Sequence, residues 1–378
     1  RGIPLGWNEP AQAWNYFLIF EEMYAGGKYS DSQAVLKGIR DWSTINVSDH
    51  SYLFSDGLNG LGAMATQCSS EWFTVTSYRD GVASRMDYAL GEHTLDELVI
   101  ENSDEANGTF IHWKPDATVF TDVDIDEHWL HQLVRYVGYT AGIKVIFTDR
   151  MGDEHVYEPS DIPTLFSTHS KVDDGVQNVS TTHTTDSSGD ICVALSDLVV
   201  GPGEGDSLFF HNLIQINGGV HLDGMNTSII NFFTERGRER GVKFALRDFS
   251  NLLSVVISSK SNKVSYRSQT KDSLDNTYVL TNIMDSLSRV LREAWARKES
   301  WLQEVVEEAI SNADARQFAA DQSAARKQVQ KVVKTRSLPE KFVSCTAYSD
   351  KNPDNELWLL EGESAASSFQ MARDASFQ

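Results

Sequence analysis

The stretch FSDGLNGLGAM, residues 54–64, places three glycines within six positions, directly before small residues that can open a helix. Gly57, Gly60 and Gly62 are typical of a loop that lets another group approach the backbone closely. A phosphate group is one candidate, because the free N–H groups at a helix start attract anions. A turn or packing role fits the same residues. The loop has neither the spacing of a Walker loop nor the glycine order of a dinucleotide fingerprint.

Length, charge and cysteine content limit the class of protein. The chain has 378 residues, of which 40% are hydrophobic, and this length predicts two or three domains. It contains no apolar run of the ~18 residues that span a membrane, so no membrane association is expected. The net charge of −21 means that any contact with nucleic acid must be local. Cys68, Cys192 and Cys345 form no CxxC pair, which favours a reducing compartment and a cytoplasmic location.

The pattern of apolar residues in the first half predicts mixed helices and strands. Residues 14–23 are expected to be helical, and residues 72–90 predict a hairpin about Asp80–Gly81. Residues 126–142 have apolar positions at helical spacing after acidic residues, which predicts a second helix. Residues 29–56 are polar and too long for an ordinary connection, and we expect a lid or binding loop there.

The second half begins with a stretch, residues 168–189, whose Ser, Thr and Asp content predicts a domain boundary. Three apolar segments after it are expected to be strands: ICVALSDLVV (191–200), LFFHNLIQI (208–216) and LLSVVISS (252–259). A charged, Ala-rich segment from Asp285 to about Lys334 predicts one extended helix, which ends before Pro339. Residues 357–360, LWLL, predict a final strand.

Several segments, in fixed order, resemble one family. Four are similar to the nucleotide-binding segments of a GHKL-type (Bergerat) ATPase: RGIP (1–4), YAGGKY (24–29), SYLFSDGLNGLG (51–62) and NGTFIHWKPD (107–116). Two are similar to the transducer domain of type IIA DNA topoisomerases: NGGVHLDGM (217–225) and YRSQTKDSL (266–274). Two resemble the entry to a Toprim domain: LPEKFVSC (338–345) and LWLLEGESAASS (357–368). Together they resemble the gyrase B and topoisomerase IV B family, which includes phage topoisomerase large subunits.

This resemblance implies an α+β chain in four parts. They are a GHKL ATPase α/β sandwich lacking its N-terminal helix (1–165), a transducer domain (166–284), a long connecting helical region (285–337) and the first strand and helix of a Toprim domain (338–378). In the family, the helix with the water-activating glutamate and the magnesium-binding asparagine precedes RGIP. We therefore expect the chain as given to hydrolyse little or no ATP.

The resemblance also implies an ATP site. Its expected residues are Arg1, Pro4, Lys28, Tyr52, Asn59, Gly60, Leu61, Gly62, Thr109, Gln269 and Lys271. The Gly60–Gly62 amides would meet the phosphates, and Thr109 would help to hold an adenine-binding water. Lys271 would sit on the γ-phosphate, so that a second domain senses whether this phosphate is present. Asp56 and Leu53 stand where the family usually has glycine and lysine, and both changes are expected to weaken anion binding.

Two further sites concern DNA. The Toprim glutamate that matches Glu361 works with Mg²⁺ at the DNA cleavage site, either as a metal ligand or as a general acid/base. Glu361 is equally compatible with an ordinary sheet-edge turn. Four basic residues of the long helix predict contact with DNA phosphates or form a solvated helix face: Arg326, Lys327, Lys331 and Lys334.

The function implied by the resemblance is that of the B subunit of an ATP-dependent type II DNA topoisomerase, an isomerase that uses ATP and Mg²⁺. Nucleotide binding would dimerise the ATPase domain and close a gate, while an A-type partner subunit would supply the tyrosine that attacks DNA. The long lid and the EGESAASS variant favour a phage-like member. Two alternatives stay open: another GHKL ATPase of the mismatch-repair or chaperone type, and a non-hydrolysing nucleotide-binding fragment.

Overall fold

The computed structural model describes residues 2–25, 36–39, 54, 57, 60–268, 270–335, 342–343, 345–346 and 354–378, and only the backbone of residues 325, 326 and 328–335. The chain divides into two compact units, with the boundary between Ala313 and Asp314. No helix within the described ranges is both long and apolar enough to cross a bilayer.

The first sheet comes from the first half of the chain. The elements of this region are β1 (Trp7–Asn8), β2 (Ala13–Trp14), α1 (Asn15–Phe20), α2 (Gly62–Cys68), β3 (Ser70–Arg79), β4 (Val82–Ala89), β5 (Glu92–His93), β6 (Val99–Asn102) and β7 (Gly108–Pro115). The strands pair antiparallel in the order β5-β4-β3-β7, with β6 also on β4, while β1 and β2 form a separate ribbon. The predicted hairpin about Asp80–Gly81 is confirmed, because β3 and β4 pair from Arg79 and Val82 outward.

Alternation along β3 and β4 gives this sheet one apolar face. Phe73 and Val75 face the same side as Met86 and Tyr88 of the next strand, as the period of two requires. Phe20 of α1 packs on this face, and its ring centroid lies 5.3 Å from that of Phe73. The predicted helix at residues 14–23 is therefore present in shorter form, with its apolar side against the sheet.

A helix, a hairpin and a second helix connect the two halves. They are α3 (Glu127–Ala141), β8 (Val145–Thr148), β9 (Glu154–Tyr157) and α4 (Ile162–Ser170). The Asp126 side chain caps α3 by accepting from the His128 N–H at 2.9 Å, and Gly142 ends the helix in the left-handed region. The helix predicted at 126–142 is confirmed with these ends.

The second sheet follows. The remaining elements are β10 (Val176–Thr185), β11 (Ile191–Pro202), β12 (Leu208–His211), β13 (Ile214–Ile216), β14 (Gly218–Gly219), α5 (Val220–Arg240), β15 (Leu253–Ser261), β16 (Ser273–Leu274), α6 (Thr277–Ala296), α7 (Ser300–Thr335) and α8 (Glu363–Ala372). The sheet order is β10-β11-β15-β12-β13, and only the β12–β15 pairing within this sheet is parallel. All three predicted strand segments are confirmed.

Helices cover both faces of the second sheet. On one face, Phe166 of α4 packs with Val199 and Val256. On the other, Val255 and Ile257 belong to a large core that also contains residues of α5, α6 and the first turns of α7. The buried residues of α7 in this core are Trp301, Leu302, Val305, Val306 and Ala309.

The contact between α6 and the edge of this sheet is polar. Asn282 is 1% exposed, and its side-chain oxygen accepts from the Ser196 hydroxyl at 2.5 Å. Its amide nitrogen donates to Thr182 at 2.9 Å and to Ser180 at 3.2 Å. One helix step further, Ser286 donates to Asn178 at 2.7 Å. This polar contact fixes how α6 sits along β10 and β11.

A lysine holds the tip of the β10–β11 hairpin. The Lys263 ammonium lies 2.6 Å from Asp186 Oδ2 and 2.8 Å from Asp190 Oδ2. The other Asp186 oxygen accepts from the Ser188 N–H at 2.9 Å and from its hydroxyl at 2.6 Å. Because of these contacts the pKa of Asp186 is lowered, and the same carboxylates raise the pKa of Lys263.

Strand β10 lies within residues 168–189, where the sequence predicts a domain boundary, and its Thr and Ser side chains alternate between the two faces. Two expectations about local structure were wrong. The extended helix expected from Asp285 is two helices, α6 and α7, which begin earlier and break at residues 297–299. Residues 357–360 are extended but form no strand with any described residue, and Leu357 and Leu359 are 73% and 90% exposed. The four domain boundaries stay predictions.

Candidate functional site

The segment RGIP lies against the ends of β3 and β7. A Cβ on Gly2 would stand 2.4 Å from the Gly108 carbonyl oxygen and 2.5 Å from Ser77 Oγ, so only glycine fits there. The Ile3 N–H donates to Thr109 Oγ1 at 3.0 Å, and the Ser77 hydroxyl donates to the Ile3 carbonyl at 2.5 Å. Residues 2–4 and residues 108–109, which belong to two of the predicted nucleotide-binding segments, thus lie together.

The predicted residues of these two segments are both accessible. Pro4 and Thr109 are exposed at this edge. Thr109 accepts one hydrogen bond and keeps its own hydroxyl hydrogen to donate, which is compatible with the predicted contact to a water. Arg79 Nη1 donates to the Gly2 carbonyl at 3.1 Å and further fixes the segment. Arg1 lies outside the described residues.

The glycine loop leads directly into α2. Gly60 has a φ of 61°, Leu61 precedes the helix, and Gly62 is its first residue. The first amides of a helix have no partner within it. A Cβ on Gly62 would meet no atom within 4 Å, so this backbone lies beside open space. The other predicted residues of the loop and lid lie outside the described residues: Lys28, Tyr52 and Asn59.

Residues 217–219 pair with residues 272–274. Gly218 and Gly219 form β14, which is parallel to β16, and the Asn217 N–H donates to the Asp272 carbonyl at 2.9 Å. A Cβ on Gly219 would stand 2.2 Å from the Leu274 carbonyl oxygen, so this approach requires glycine. The two transducer-like motifs are therefore neighbours in space.

The loop that carries Lys271 is closed by its own hydrogen bonds. The Arg267 N–H donates to the Ser273 carbonyl at 2.9 Å, and the Ser268 hydroxyl donates to Asp272 Oδ1 at 2.9 Å. Lys271 has a left-handed φ of 58°, and its N–H donates to the Ser268 carbonyl at 3.2 Å. Gln269 lies outside the described residues. We call residues 268–272 the lysine loop; its placement relative to Gly60–Gly62 stays a prediction.

The predicted DNA residues lie in the second unit. Glu361 is exposed in extended chain, and Gly362 then precedes α8. No group of three or more His, Cys, Asp or Glu side chains within the described ranges is placed to hold a metal ion. Lys327 is exposed on α7, and for three other predicted residues of this helix the structure describes only the backbone: Arg326, Lys331 and Lys334.

Sequence reasoning missed a buried polar network under the lysine loop. His211 and His221 are both 0% exposed, and Ser259 and Ser261 are 0% exposed beside them. Burial lowers the pKa of His211 to about 3 and the pKa of His221 well below its usual value, so both rings are neutral at pH 7. The sequence signal is the pair of serines at i and i+2, Ser259 and Ser261, at the end of a strand that begins with apolar residues.

Comparison with known proteins finds similarity to DNA gyrase B proteins. A family model described as DNA gyrase B matches residues 163–326. The DNA gyrase B protein of Thermotoga maritima is 25% identical over 395 residues, covering 100% of this chain and 58% of that protein. The DNA gyrase B protein of Eisenibacter elegans is 28% identical over 352 residues, covering 86% of this chain and 71% of that protein.

The chain is similar in sequence to DNA gyrase B proteins over most of its length. Its fold is that of their ATPase region, since it matches the ATPase domain of Thermus thermophilus gyrase B with a TM-score of 0.58 at 19% identity. This match covers 86% of this chain and 81% of that structure. The chain spans little more than half the length of the Thermotoga gyrase B protein.

Proposed function

We propose that this chain provides the nucleotide-binding and coupling parts of the B subunit of an ATP-dependent type II DNA topoisomerase. In this proposal ATP binds at the edge formed by residues 2–4, Thr109 and the glycine loop. Nucleotide binding dimerises the ATPase region and closes a gate around DNA in the cytoplasm. Lys271 of the lysine loop binds the γ-phosphate and so couples the nucleotide to the second sheet.

One observation carries the proposal. Segments that are far apart in sequence are neighbours in the structure in two independent places. Residues 2–4 and 108–109 belong to nucleotide-binding-like segments, and residues 217–219 and 272–274 belong to transducer-like segments. Each contact is tight enough to require a glycine. The relationship to gyrase B proteins supports the same interpretation.

The ATP site of the proposal has two sides. The adenine side consists of Arg1, Pro4, Tyr52 and Thr109. The phosphate side consists of Lys28, Asn59, Gly60, Leu61, Gly62, Gln269 and Lys271. A lysine on the γ-phosphate adds a charge-assisted hydrogen bond that ADP cannot form. ATP and ADP therefore differ in the contact that they make with the loop between Tyr266 and Leu274. This loop belongs to the second sheet region.

The DNA-directed part of the proposal assigns Glu361 and Mg²⁺ to DNA cleavage, together with an A-type partner subunit. It assigns the basic residues of α7 to sequence-independent phosphate contacts. Exposure of Lys327 on a helix supports the second assignment. In this proposal Glu361 contributes one carboxylate to the DNA cleavage site.

Calorimetric titration of the chain with ADP and with a non-hydrolysable β,γ-imido analogue of ATP tests the nucleotide site. We expect tighter binding of the analogue, because only it carries the γ-phosphate. Lys271→Ala should weaken analogue binding about 10-fold or more, the cost of losing a charged hydrogen bond, and change ADP binding less than about 2-fold.

Lys298→Ala is the matched control, since Lys298 is another lysine with a left-handed φ, exposed between α6 and α7. It should leave both affinities unchanged. Equal affinity for the two nucleotides, unaffected by Lys271→Ala, would contradict the proposed site. Gel filtration with a purified topoisomerase A-type subunit and duplex DNA then separates a topoisomerase from other GHKL proteins, which have no reason to co-elute with that subunit.

A further inference from the structure

We propose that His221, Ser259, His211 and Ser261 form a one-way hydrogen-bond chain that positions the lysine loop. Four contacts define it: His221 Nε2 to Ser259 Oγ at 2.6 Å, Ser259 Oγ to His211 Nδ1 at 2.7 Å, His211 Nε2 to Ser261 Oγ at 3.0 Å, and Ser261 Oγ to the Lys263 carbonyl at 3.3 Å. We call this set the histidine–serine chain.

The proton positions follow from the partners. His221 Nδ1 is buried without a hydrogen-bond partner among the described residues. An unpartnered ring nitrogen costs less as a bare acceptor than as an N–H donor, so the His221 proton lies on Nε2 and is donated to Ser259. A serine has one hydroxyl hydrogen. Because Ser259 accepts from His221, it donates this hydrogen to His211 Nδ1. His211 must then carry its proton on Nε2 and donate it to Ser261.

One competing arrangement has Ser259 donate to the Phe210 carbonyl instead, which would put the His211 proton on Nδ1. That oxygen is 3.5 Å from Ser259 Oγ, whereas the two imidazole nitrogens are 2.6 and 2.7 Å away. Hydrogen bonds from hydroxyl groups to oxygen are normally 2.5–3.0 Å long, as a rough range. The short contacts therefore favour the one-way order from His221 to Ser261. The Ser261 contact to the Lys263 carbonyl, at 3.3 Å, is longer than this range and carries no part of the order.

The histidine–serine chain lies beside the base of the lysine loop, where Tyr266 and Leu274 flank it. On one side, His221 lies in the first turn of α5, which begins directly after Gly219, and the Gly219 backbone packs on Leu274. On the other, the His211 ring makes an edge contact with Tyr266, at a centroid distance of 6.3 Å. Tyr266 and Leu274 pair across the base of the loop. Fixing the two rings therefore fixes the base from which Lys271 projects.

The role of the chain in positioning Lys271 for a phosphate rests on the proposed function, whereas its proton order does not. The first experiment is ¹⁵N NMR of ring-labelled histidines in the full chain, with His211→Gln and His221→Gln spectra for assignment. We expect neutral Nε2–H rings at both positions at pH 7. An Nδ1–H ring at His211, or an imidazolium at either site, would overturn the proposed order.

The second experiment measures amide hydrogen exchange in residues 266–274. Ser259→Ala removes the central hydroxyl and should accelerate exchange there about 10-fold or more. Ser258→Ala is the matched control, because Ser258 is buried on the same strand but faces the opposite side of the sheet. Unchanged exchange in Ser259→Ala would refute the positioning role.

The third experiment separates the two proposals. His221→Gln keeps an N–H near the position of Nε2, whereas His221→Phe keeps the ring shape and loses the donor. We expect the preference for the ATP analogue over ADP to survive in His221→Gln and to fall toward that of Lys271→Ala in His221→Phe. If the unmodified chain shows no preference, the proposed function has failed, and the NMR and exchange results still decide the histidine–serine chain. A preserved preference in His221→Phe, with a normal preference in the unmodified chain, would refute the coupling.

Discussion

Single buried residues decide how this chain responds to acid. His211 and His221 are neutral in the fold because burial lowers the pKa of each, to about 3 for His211. In the unfolded chain both titrate near pH 6.5, as a rough value. Between these values the unfolded state binds more protons, so the free energy of unfolding rises with pH. The stability that they contribute is complete above about pH 6.5 and is lost as the pH falls below it.

The expected rise of the free energy of unfolding with pH can be tested on single residues. Chemical denaturation between pH 7.5 and 5 should show stability falling by up to about 1.4 kcal/mol per pH unit for each histidine. His221→Gln removes one titrating group while keeping the donor, so its slope should be smaller. Thr281→Ala, at an exposed position of α6, removes no titrating group and should leave the slope as it was. Identical slopes in all three proteins would contradict the assignment.

The groups that face the two rings support this assignment. The side chains packed against them are the serines of β15, Phe209 and Tyr266, and Lys263 contributes only its carbonyl to the chain. Nearby Tyr278 has a pKa raised to about 12 by burial, so it stays neutral across this pH range. No charged side chain among these neighbours offsets the cost of protonating a ring.

At the scale of elements, the polar contact between α6 and the sheet edge should be costly to break. Asn282→Ala would leave the hydroxyl groups of Ser180, Thr182 and Ser196 without their shared amide. Ser196 is buried, whereas Ser180 and Thr182 are partly exposed. An unsatisfied buried group costs about 1–3 kcal/mol, so we expect a loss of about 2 kcal/mol in the free energy of unfolding. Urea denaturation measures it.

Thr281→Ala is the control on the same helix, because Thr281 is exposed and bonds only to the Thr277 carbonyl. It should change stability by less than about 0.5 kcal/mol. A similarly small effect of Asn282→Ala would show that solvent satisfies these groups and that the contact does not lock the register of α6.

The same elements show what the sequence could and could not predict. The β3–β4 hairpin and α3 were predictable, because their turn and capping residues act locally. Strand β10 was not predictable, since two of its hydroxyl side chains, Ser180 and Thr182, contact the amide of Asn282, about 100 residues later. The break between α6 and α7 also escaped notice, because Arg297, Lys298 and Glu299 resemble residues of a solvated helix.

The candidate site comes from a resemblance, which selects segments without saying how they pack. Residues 2–4 lie against residues 108–109, and residues 217–219 pair with residues 272–274, while the nucleotide contacts stay predictions. Nothing in the sequence indicated that buried histidines support the second pair, because a histidine in a motif has no visible partner until β12, β15 and α5 are assembled.

At the scale of the whole molecule, charge is the dominant property. The chain carries 54 acidic and 33 basic residues, for a net charge of −21. A compact chain with such an excess repels itself, and dissolved salt screens this repulsion. We expect the Tm to rise by about 2 °C or more between 20 and 300 mM NaCl, which corresponds to about 1 kcal/mol for a domain of this size. Differential scanning calorimetry measures the change.

A fall in Tm with salt would instead mean that exposed ion pairs, such as Lys114 with Glu71, outweigh the repulsion. Repeating the scan with sucrose at constant ionic strength distinguishes screening from a general effect of added solute.

The hairpin tip at Asp186–Asp190 holds two carboxylates that need a positive counter-ion. Acidic oxygens spaced two or more residues apart in a turn, together with serine and glycine, commonly surround a calcium ion. In this chain the ammonium group of Lys263 occupies the centre of the two carboxylates, so the protein carries its own counter-ion. The positive charge beside these two carboxylates thus comes from a side chain of the same chain. Acetylation of the Lys263 amine would remove this positive charge and leave the two carboxylates without their counter-ion, as chelation does when it removes the ion from a calcium loop.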